Sequence, residues 1–203
     1  MTIHKLYGSI APNYDKLHAR WLKYAGGEAQ CAFEGAVYAL VKPSIKLLDV
    51  GCGTGTLARK ITKLVGSDID LTLLDTCSEF LSRTLDIPNI HRLHSSAEFI
   101  PSTDQKYDLV TCAWALETTR NTTKAIAELV RITKPDGHIC IVFCADKCCS
   151  GLTGRAMRTA VSLRGTGKFL DPELVIKTLH DCAVKSIRQV PCNGPAVTLV
   201  VNV

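Results

Sequence analysis

"LLDVGCGTGTLAR", residues 47–59, sets an acid inside an apolar run and follows it with glycines at 51, 53 and 55. Leu47, Leu48 and Val50 have the length and composition of a buried strand, and Leu57, Ile61, Leu64 and Val65 then recur at helical spacing. The glycines therefore sit in a strand-to-helix turn. Such a turn bends sharply, and a side chain at Gly51 or Gly53 would obstruct a ligand lying against its open amides. The helix starting near Thr56 points its positive end at the same place, so the turn predicts a ligand bearing a carboxylate or a phosphate.

On the N-terminal side, Ala32, Phe33, Ala36, Val37, Leu40 and Val41 mark one face of a helix ending near Pro43, ahead of the strand "IKLLDV" (45–50). On the C-terminal side, "IDLTLLD" (69–75) reads as a second strand and "SEFLSRTL" (78–85) as a helix that Ser78 is placed to cap. "NIHRLHS" (89–95) and "YDLVTCAWAL" (107–116) read as the third and fourth strands. Ala125, Ile126, Leu129, Val130 and Thr133 share a helix face that "KPDG" (134–137) brings to a stop before a fifth strand, "HICIVFCA" (138–145). In "DPELVIKTLHDCA" (171–183) Asp171 is placed to cap and Pro172 fits the first helical position, where no amide donor is needed. "VKSIRQV" (184–190) and "AVTLVVNV" (196–203) supply two terminal strands. This alternation predicts an α/β, doubly wound, mostly parallel sheet with right-handed crossovers and a ligand beyond the carboxyl ends of its strands.

A chain of 203 residues with 46% hydrophobic content supports one full core, so residues 1–203 are expected to form a single domain. The expected division is an N-terminal helical lid over 1–43, a cofactor-binding core over 44–145, and acceptor-side helices and terminal strands over 146–203. The net charge of +5 is mild and most cations alternate with acids, which argues against a nucleic-acid partner. One segment departs from that pattern: Lys147, Arg155, Arg158, Arg164 and Lys168 occur with no acid before Asp171. It reads either as a basic amphipathic helix making transient contact with a membrane surface or as a solvated helix.

No apolar run approaches the roughly 18 residues of a spanning helix, and the N-terminus lacks the pattern of a secretion signal, so the expected location is cytoplasmic. The ten cysteines are then expected to be reduced, buried hydrophobes, and with no C-x-x-C pair among them no metal site is predicted.

Two cofactor classes use a glycine turn of this kind, and spacing separates them. A dinucleotide fingerprint, G-x-G-x-x-G/A, would need a small residue at 56, where the chain has Thr56. Asp49 adds a second clue, since an acid at the end of a buried strand is costly unless something such as an ammonium group pairs with it. "LLDVGCGTG" resembles the first motif of the class I S-adenosylmethionine-dependent methyltransferases, and the likeness extends over about residues 45–145.

That resemblance implies a seven-stranded sheet of order 3-2-1-4-5-7-6, with the seventh strand antiparallel, and S-adenosyl-L-methionine as cofactor. It implies that Asp75, at the end of "LTLLD", binds the ribose hydroxyls, with Thr76 beside the adenine. The adenine-side turn of the family usually reads like G-D-A-E; here it is "SSAEFIP" (95–101), so Ser96 stands where an aspartate is customary and Ala97 offers a backbone amide. A neutral acceptor at 96 predicts a modest loss of affinity. Gly51, Cys52, Gly53, Asp49 and, near the end of the fourth strand, Cys112 complete the implied cofactor side. The opening "YGSIAPNYDKL" is similar to that of the ubiquinone and menaquinone biosynthesis methyltransferases, where this segment folds over the cofactor; Tyr7 and Tyr14 then line the site, or else pack a helix onto the sheet.

The sulfonium donor is already activated, so the protein has mainly to align an acceptor and exclude water. An oxygen or carbon acceptor also needs a base. Glu117, just beyond the fourth strand, reads either as that base, or an anchor for a cationic substrate, or as a solvated acid at a helix start; Tyr7 joins it as a catalytic candidate. Trp114 reads as an apolar acceptor wall or as core. Cys144, Cys148 and Cys149 leave a metalloid or thiol methyltransferase as an alternative. A non-catalytic cofactor-binding module is the other, and an oxidoreductase is a distant third. The leading expectation is methyl transfer to a small apolar or amphipathic acceptor, quinone-like, lipid or another metabolite, by a monomer or homodimer.

Overall fold

The computed structural model describes residues 11–66, 68–84, 86–145 and 168–203. Seven strands form one sheet: β1 (Lys46–Val50), β2 (Asp70–Asp75), β3 (Ile90–His94), β4 (Tyr107–Ala113), β5 (Thr133–Cys144), β6 (Ser186–Val190) and β7 (Ala196–Asn202). Their order is β3-β2-β1-β4-β5-β7-β6. β3, β2, β1, β4 and β5 run parallel, while β7 pairs antiparallel with both β5 and β6. The sheet is therefore the one the resemblance implies.

Side chains alternate across a strand, and each apolar set meets its own helix layer. Leu48, Val50, Val110, Ile139, Ile141 and Phe143 pack against α5 (Thr122–Ile132) and α6 (Pro172–Asp181) through Ile126, Leu129 and Leu179. Leu47, Leu71, Leu73, Leu109 and Val142 pack on the other face against α2 (Gly27–Leu40) and α3 (Thr56–Val65) through Phe33, Val37 and Ile61. α1 (Tyr14–Trp21) precedes a π-helical stretch, Leu22–Gly26, which leads into α2.

Four local expectations are corrected. The helix expected over 78–85 is the short α4 (Ser78–Ser82), capped from Cys77 with no side-chain cap; the Ser78 hydroxyl instead donates to Glu79 Oε2 at 3.2 Å. Thr133 does not belong to α5, because the helix ends at Ile132 and Thr133 already opens β5. "KPDG" lies inside β5 as an irregularity: Tyr107 pairs with Thr133, and the next pair is Leu109 with His138. Asp136, at φ 63°, makes the bend, and its amide donates to Val203 O at 2.8 Å. The fourth strand stops at Ala113, and Trp114 and Ala115 lead into a single 3-10 turn, Leu116–Thr118. At the start of α6, Asp171 accepts from the Glu173 amide at 3.0 Å with Pro172 at the first helical position, as its sequence predicts.

The loop after β3 is held by α5. The Ile100 amide donates to Glu128 Oε2 at 2.8 Å, and Arg131 donates to Ile100 O at 2.9 Å, Ser102 O at 3.1 Å and Glu128 Oε1 at 2.7 Å. Arg131 also donates to Asp104 Oδ1 at 2.5 Å, so one guanidinium ties three points of the loop, Ile100, Ser102 and Asp104, to α5. Arg131→Ala is expected to lower stability by roughly 1–3 kcal/mol, since bonds from a charged donor are lost and two carbonyls lose a partner. Urea unfolding checks this, and an unchanged midpoint would contradict it.

Candidate active site

A cavity of about 600 Å³ opens beyond the carboxyl ends of β1, β2, β3 and β4. Gly51 and Gly53 contribute from the β1 turn, Asp75 and Thr76 from β2, Ser96 and Ala97 from the loop after β3, and Ala113 to Ala115 from the end of β4. Tyr14 of α1 and Phe80 of α4 add aromatic rings, 4.7 Å apart by centroid.

Asp75 organises the floor. It is 8% exposed, its Oδ2 accepts from the Gly53 amide at 2.9 Å and its Oδ1 from the Cys77 amide at 2.9 Å. Two backbone bonds hold the carboxylate in one orientation, and a carboxylate offers about four acceptor positions in all.

The glycine turn works differently from its sequence reading. Its amides are not open: Gly51 and Cys52 donate to Leu74 O at 2.8 and 3.0 Å, Gly53 to Asp75, and Gly55 to Cys52 O at 3.0 Å. What glycine supplies at 51 is closeness. Its φ is 70°, and a Cβ there would stand 2.3 Å from the Ala115 Cβ, so the β1 turn packs directly on the β4 turn. At Gly53 a Cβ would lie 3.6 Å from the Tyr14 ring, which covers this part of the loop. A further bond, Thr54 Oγ1 to Asp15 Oδ1 at 2.6 Å, ties α1 to the turn.

The structure brings Tyr14, Gly51, Gly53, Asp75, Thr76, Ser96 and Ala97 to one cavity. Asp49, Cys52 and Cys112 are not among its lining residues. Cys112 is fully buried because strand parity turns it into the core beside Leu48 and Val110, and burial pushes its thiol well above the usual range. Cys52 is likewise raised, by burial first and then by Asp49 and Asp75. Asp49 meets a hydroxyl rather than an ammonium group: Thr111 Oγ1 donates to it at 2.8 Å. Burial pushes its carboxyl up to about 7, the Thr111 bond opposing and the Asp75 charge adding to the rise.

Glu117 is no solvated acid. It is 7% exposed, lies in the single turn Leu116–Thr118, and accepts from the Cys144 amide at 3.3 Å through Oε1. Its Oε2 is buried with no hydrogen-bond partner among the described residues, and burial lifts the carboxyl to about 7. It does not line the cavity, although Ala115 and Thr118 on either side of it do. Its charge nevertheless reaches Tyr14, whose hydroxyl is raised by burial first, then by Asp75, Glu117 and Asp15. His18 stacks on Tyr14 at 5.7 Å, and burial lowers its pKa.

Tyr7, His4, Cys148, Cys149 and all of the basic segment except Lys168 lie outside the described residues. Cys144 is buried at the end of β5. Among the described residues no helix is long and apolar enough to cross a membrane.

Sequence reading missed Phe80, Glu98 and Arg120, which also line the cavity. Glu98 stands two positions after the missing aspartate and was legible as the acid of "SSAE"; its Oε1 accepts from the Asn121 amide at 2.5 Å. Nothing in the sequence points to Phe80 or Arg120.

S-adenosylmethionine fits this cavity. The volume lies within the roughly 300–1,000 Å³ of pockets that hold molecules of that size. Asp75, Ser96 and Ala97 all line it, and the charges of Asp75, Glu117 and Asp15 act on the Tyr14 hydroxyl at its wall.

Residues 48–141 match the family described as methyltransferase domain. The ubiquinone/menaquinone biosynthesis C-methyltransferase of Shewanella pealeana is 27% identical over 68% of this chain and 57% of its own length. The demethylmenaquinone methyltransferase of Listeria welshimeri is 25% identical over 69% of this chain and 61% of its own length. The chain thus spans about three-fifths of these curated relatives. A methyltransferase structure from Aquifex aeolicus superposes with a TM-score of 0.65 over 84% of this chain and 88% of that one, at 20% identity, a likeness of fold. Residues 48–141 thus carry a methyltransferase-domain match, within a sheet whose order is the one that the resemblance to the class I S-adenosylmethionine-dependent methyltransferases implies.

Proposed function

We infer that this chain transfers a methyl group from S-adenosylmethionine to a small apolar or amphipathic acceptor of the quinol type. The observation that carries the reading is the Asp75 carboxylate, fixed by the Gly53 and Cys77 amides at the wall of a cofactor-sized cavity. The quinone relatives support the acceptor class.

When bound, the cofactor supplies a methyl carbon on a cationic sulfur that departs as a neutral thioether. The chain's own residues have a smaller task. Asp75 orients the ribose, Thr76, Ser96 and Ala97 flank the base, and Tyr14 with Phe80 excludes water from the turn. A hydroxyl or ring carbon must give up a proton as its new bond to the methyl carbon forms. Glu117, with a carboxyl lifted to about 7 and an oxygen that has no hydrogen-bond partner among the described residues, is the proposed base; it stands behind the lining residues Ala115 and Thr118, so the proton reaches it through a bridging water. Tyr7 remains its proposed catalytic partner on the family resemblance alone.

Asp75→Ala is expected to weaken binding of S-adenosylhomocysteine by at least about tenfold, the equivalent of one to two hydrogen bonds. Asp75→Asn, which keeps one acceptor oxygen, should lose less. Calorimetry measures both, and unchanged affinity in Asp75→Ala would remove the ribose assignment. Isotopically labelled methyl donor offered with quinols, catechols, thiols and arsenite tests the acceptor class; label is expected in the quinol products. Cofactor binding without transfer to any of them would mark a non-catalytic module.

Glu117 also predicts a pH effect on stability. Burial lifts its folded carboxyl to about 7 from the ordinary 4.5, so between these limits the folded chain holds a proton that the unfolded chain has lost. Stability therefore falls as pH rises through that window. Glu117→Gln removes the penalty: its advantage over the parent should grow from pH 5 to pH 8 by something on the order of 1–3 kcal/mol. Thermal melts across that range check it, and a pH-independent difference would contradict it.

A further inference from the structure

Trp114 holds a backbone conformation that its side chain disfavours. Its φ is 54°, and it is the one aromatic residue at positive φ among the described residues. Bulky side chains are rare in this region and persist there only when the surroundings over-determine them, most often at ligand sites.

The surroundings do so here from three directions. The Trp114 amide donates to Val142 O at 2.9 Å, and its indole Nε1 donates to Gln30 Oε1 of α2 at 2.6 Å. Trp21 meets the ring edge-on, with centroids 5.9 Å apart and planes at 87°. Gly26, in the π-helical stretch, makes that contact possible, because a Cβ there would lie 2.6 Å from Trp21 Nε1 and 3.1 Å from Trp114 Cη2. On the other side Ala115 is pressed against Gly51 of the cofactor turn. The ring is thus registered both to α2 and to the cofactor loop.

Core packing alone does not account for this placement. Trp114 is only half-buried, it borders the core cluster of Phe33 and Val142, and it lines the cavity. An indole has a single donor, and Gln30 already takes it. What remains for a ligand is apolar ring surface.

We propose that Trp114 is the specificity-determining wall of the acceptor side, selecting acceptors with a flat apolar face, and that Gln30 is its positioning residue. This rests on the methyltransferase reading and adds to it the residue that chooses the acceptor.

The chain has two tryptophans, so Trp21→Phe leaves Trp114 as the sole indole reporter. The probe is 2,3-dimethyl-1,4-naphthoquinone, a flat quencher whose fully substituted ring does not arylate cysteine. Added to the Trp21→Phe chain saturated with S-adenosylhomocysteine, it is expected to quench Trp114 fluorescence saturably. Adding Gln30→Leu should weaken that binding about fivefold, the fold-change of one lost neutral hydrogen bond, while calorimetry shows cofactor-product affinity unchanged. Gln30→Glu combined with Glu34→Gln keeps an oxygen for the indole and keeps the amide–carboxylate bond between positions 30 and 34, which Gln30 now makes to Glu34 Oε1 at 2.7 Å, and should restore it; a merely structural role for Gln30 would not divide the two ligands in this way. Linear quenching like that of free tryptophan amide overturns the proposal, as does a Gln30→Leu chain that binds the probe normally. If S-adenosylhomocysteine itself fails to bind, the methyltransferase reading falls and takes the proposal with it.

Discussion

One buried carboxylate holds the architecture of the site together. Asp75 ends β2 inside the protein, where an unpaired acid would be costly, and its two oxygens are satisfied by amides of two different loops. The Gly53 amide comes from the β1 turn and the Cys77 amide from the entry to α4, so one side chain bridges these two loops. Parallel pairing sets this up: Val50 stands opposite Leu74, and the next two amides, of Gly51 and Cys52, both donate to the Leu74 carbonyl. These bonds fix the turn's path without any contribution from a ligand. Closeness at Gly51 then ties the turn to β4 through Ala115.

The same edge of the sheet collects negative charge. Asp75 raises the pKa of Asp49, and Asp75 and Glu117 both act on the Tyr14 hydroxyl. Burial lifts the Asp49 and Glu117 carboxyls to about 7.

Much of this was legible in the sequence because it follows from local pattern. The strand-turn-helix of residues 47–59, the acid at 75, the cap at Asp171 and the alternation that gives the doubly wound sheet are all short-range signals. Features set by tertiary contact were not. Whether the amides of the glycine turn are open depends on Leu74 and Asp75, which only strand pairing brings close. Cys112 reads as a site residue until parity turns it into the core, and for Glu117 the sequence leaves a base or cation anchor and a solvated acid side by side until the Cys144 amide and the surrounding burial remove the second. The irregularity of "KPDG" inside β5 depends on pairing with β4 and β7, which no local turn signal encodes.

Amide hydrogen exchange on the chain with and without S-adenosylhomocysteine tests the central role of Asp75 most directly, because the Gly53 and Cys77 amides both donate to its carboxylate. Ligand binding should slow exchange at these two amides together with those of the flanking turn and the loop carrying Ala97, leaving β6 and β7 unaffected. Protection confined to the terminal strands, or saturating ligand with no change at Gly53 and Cys77, would contradict the account.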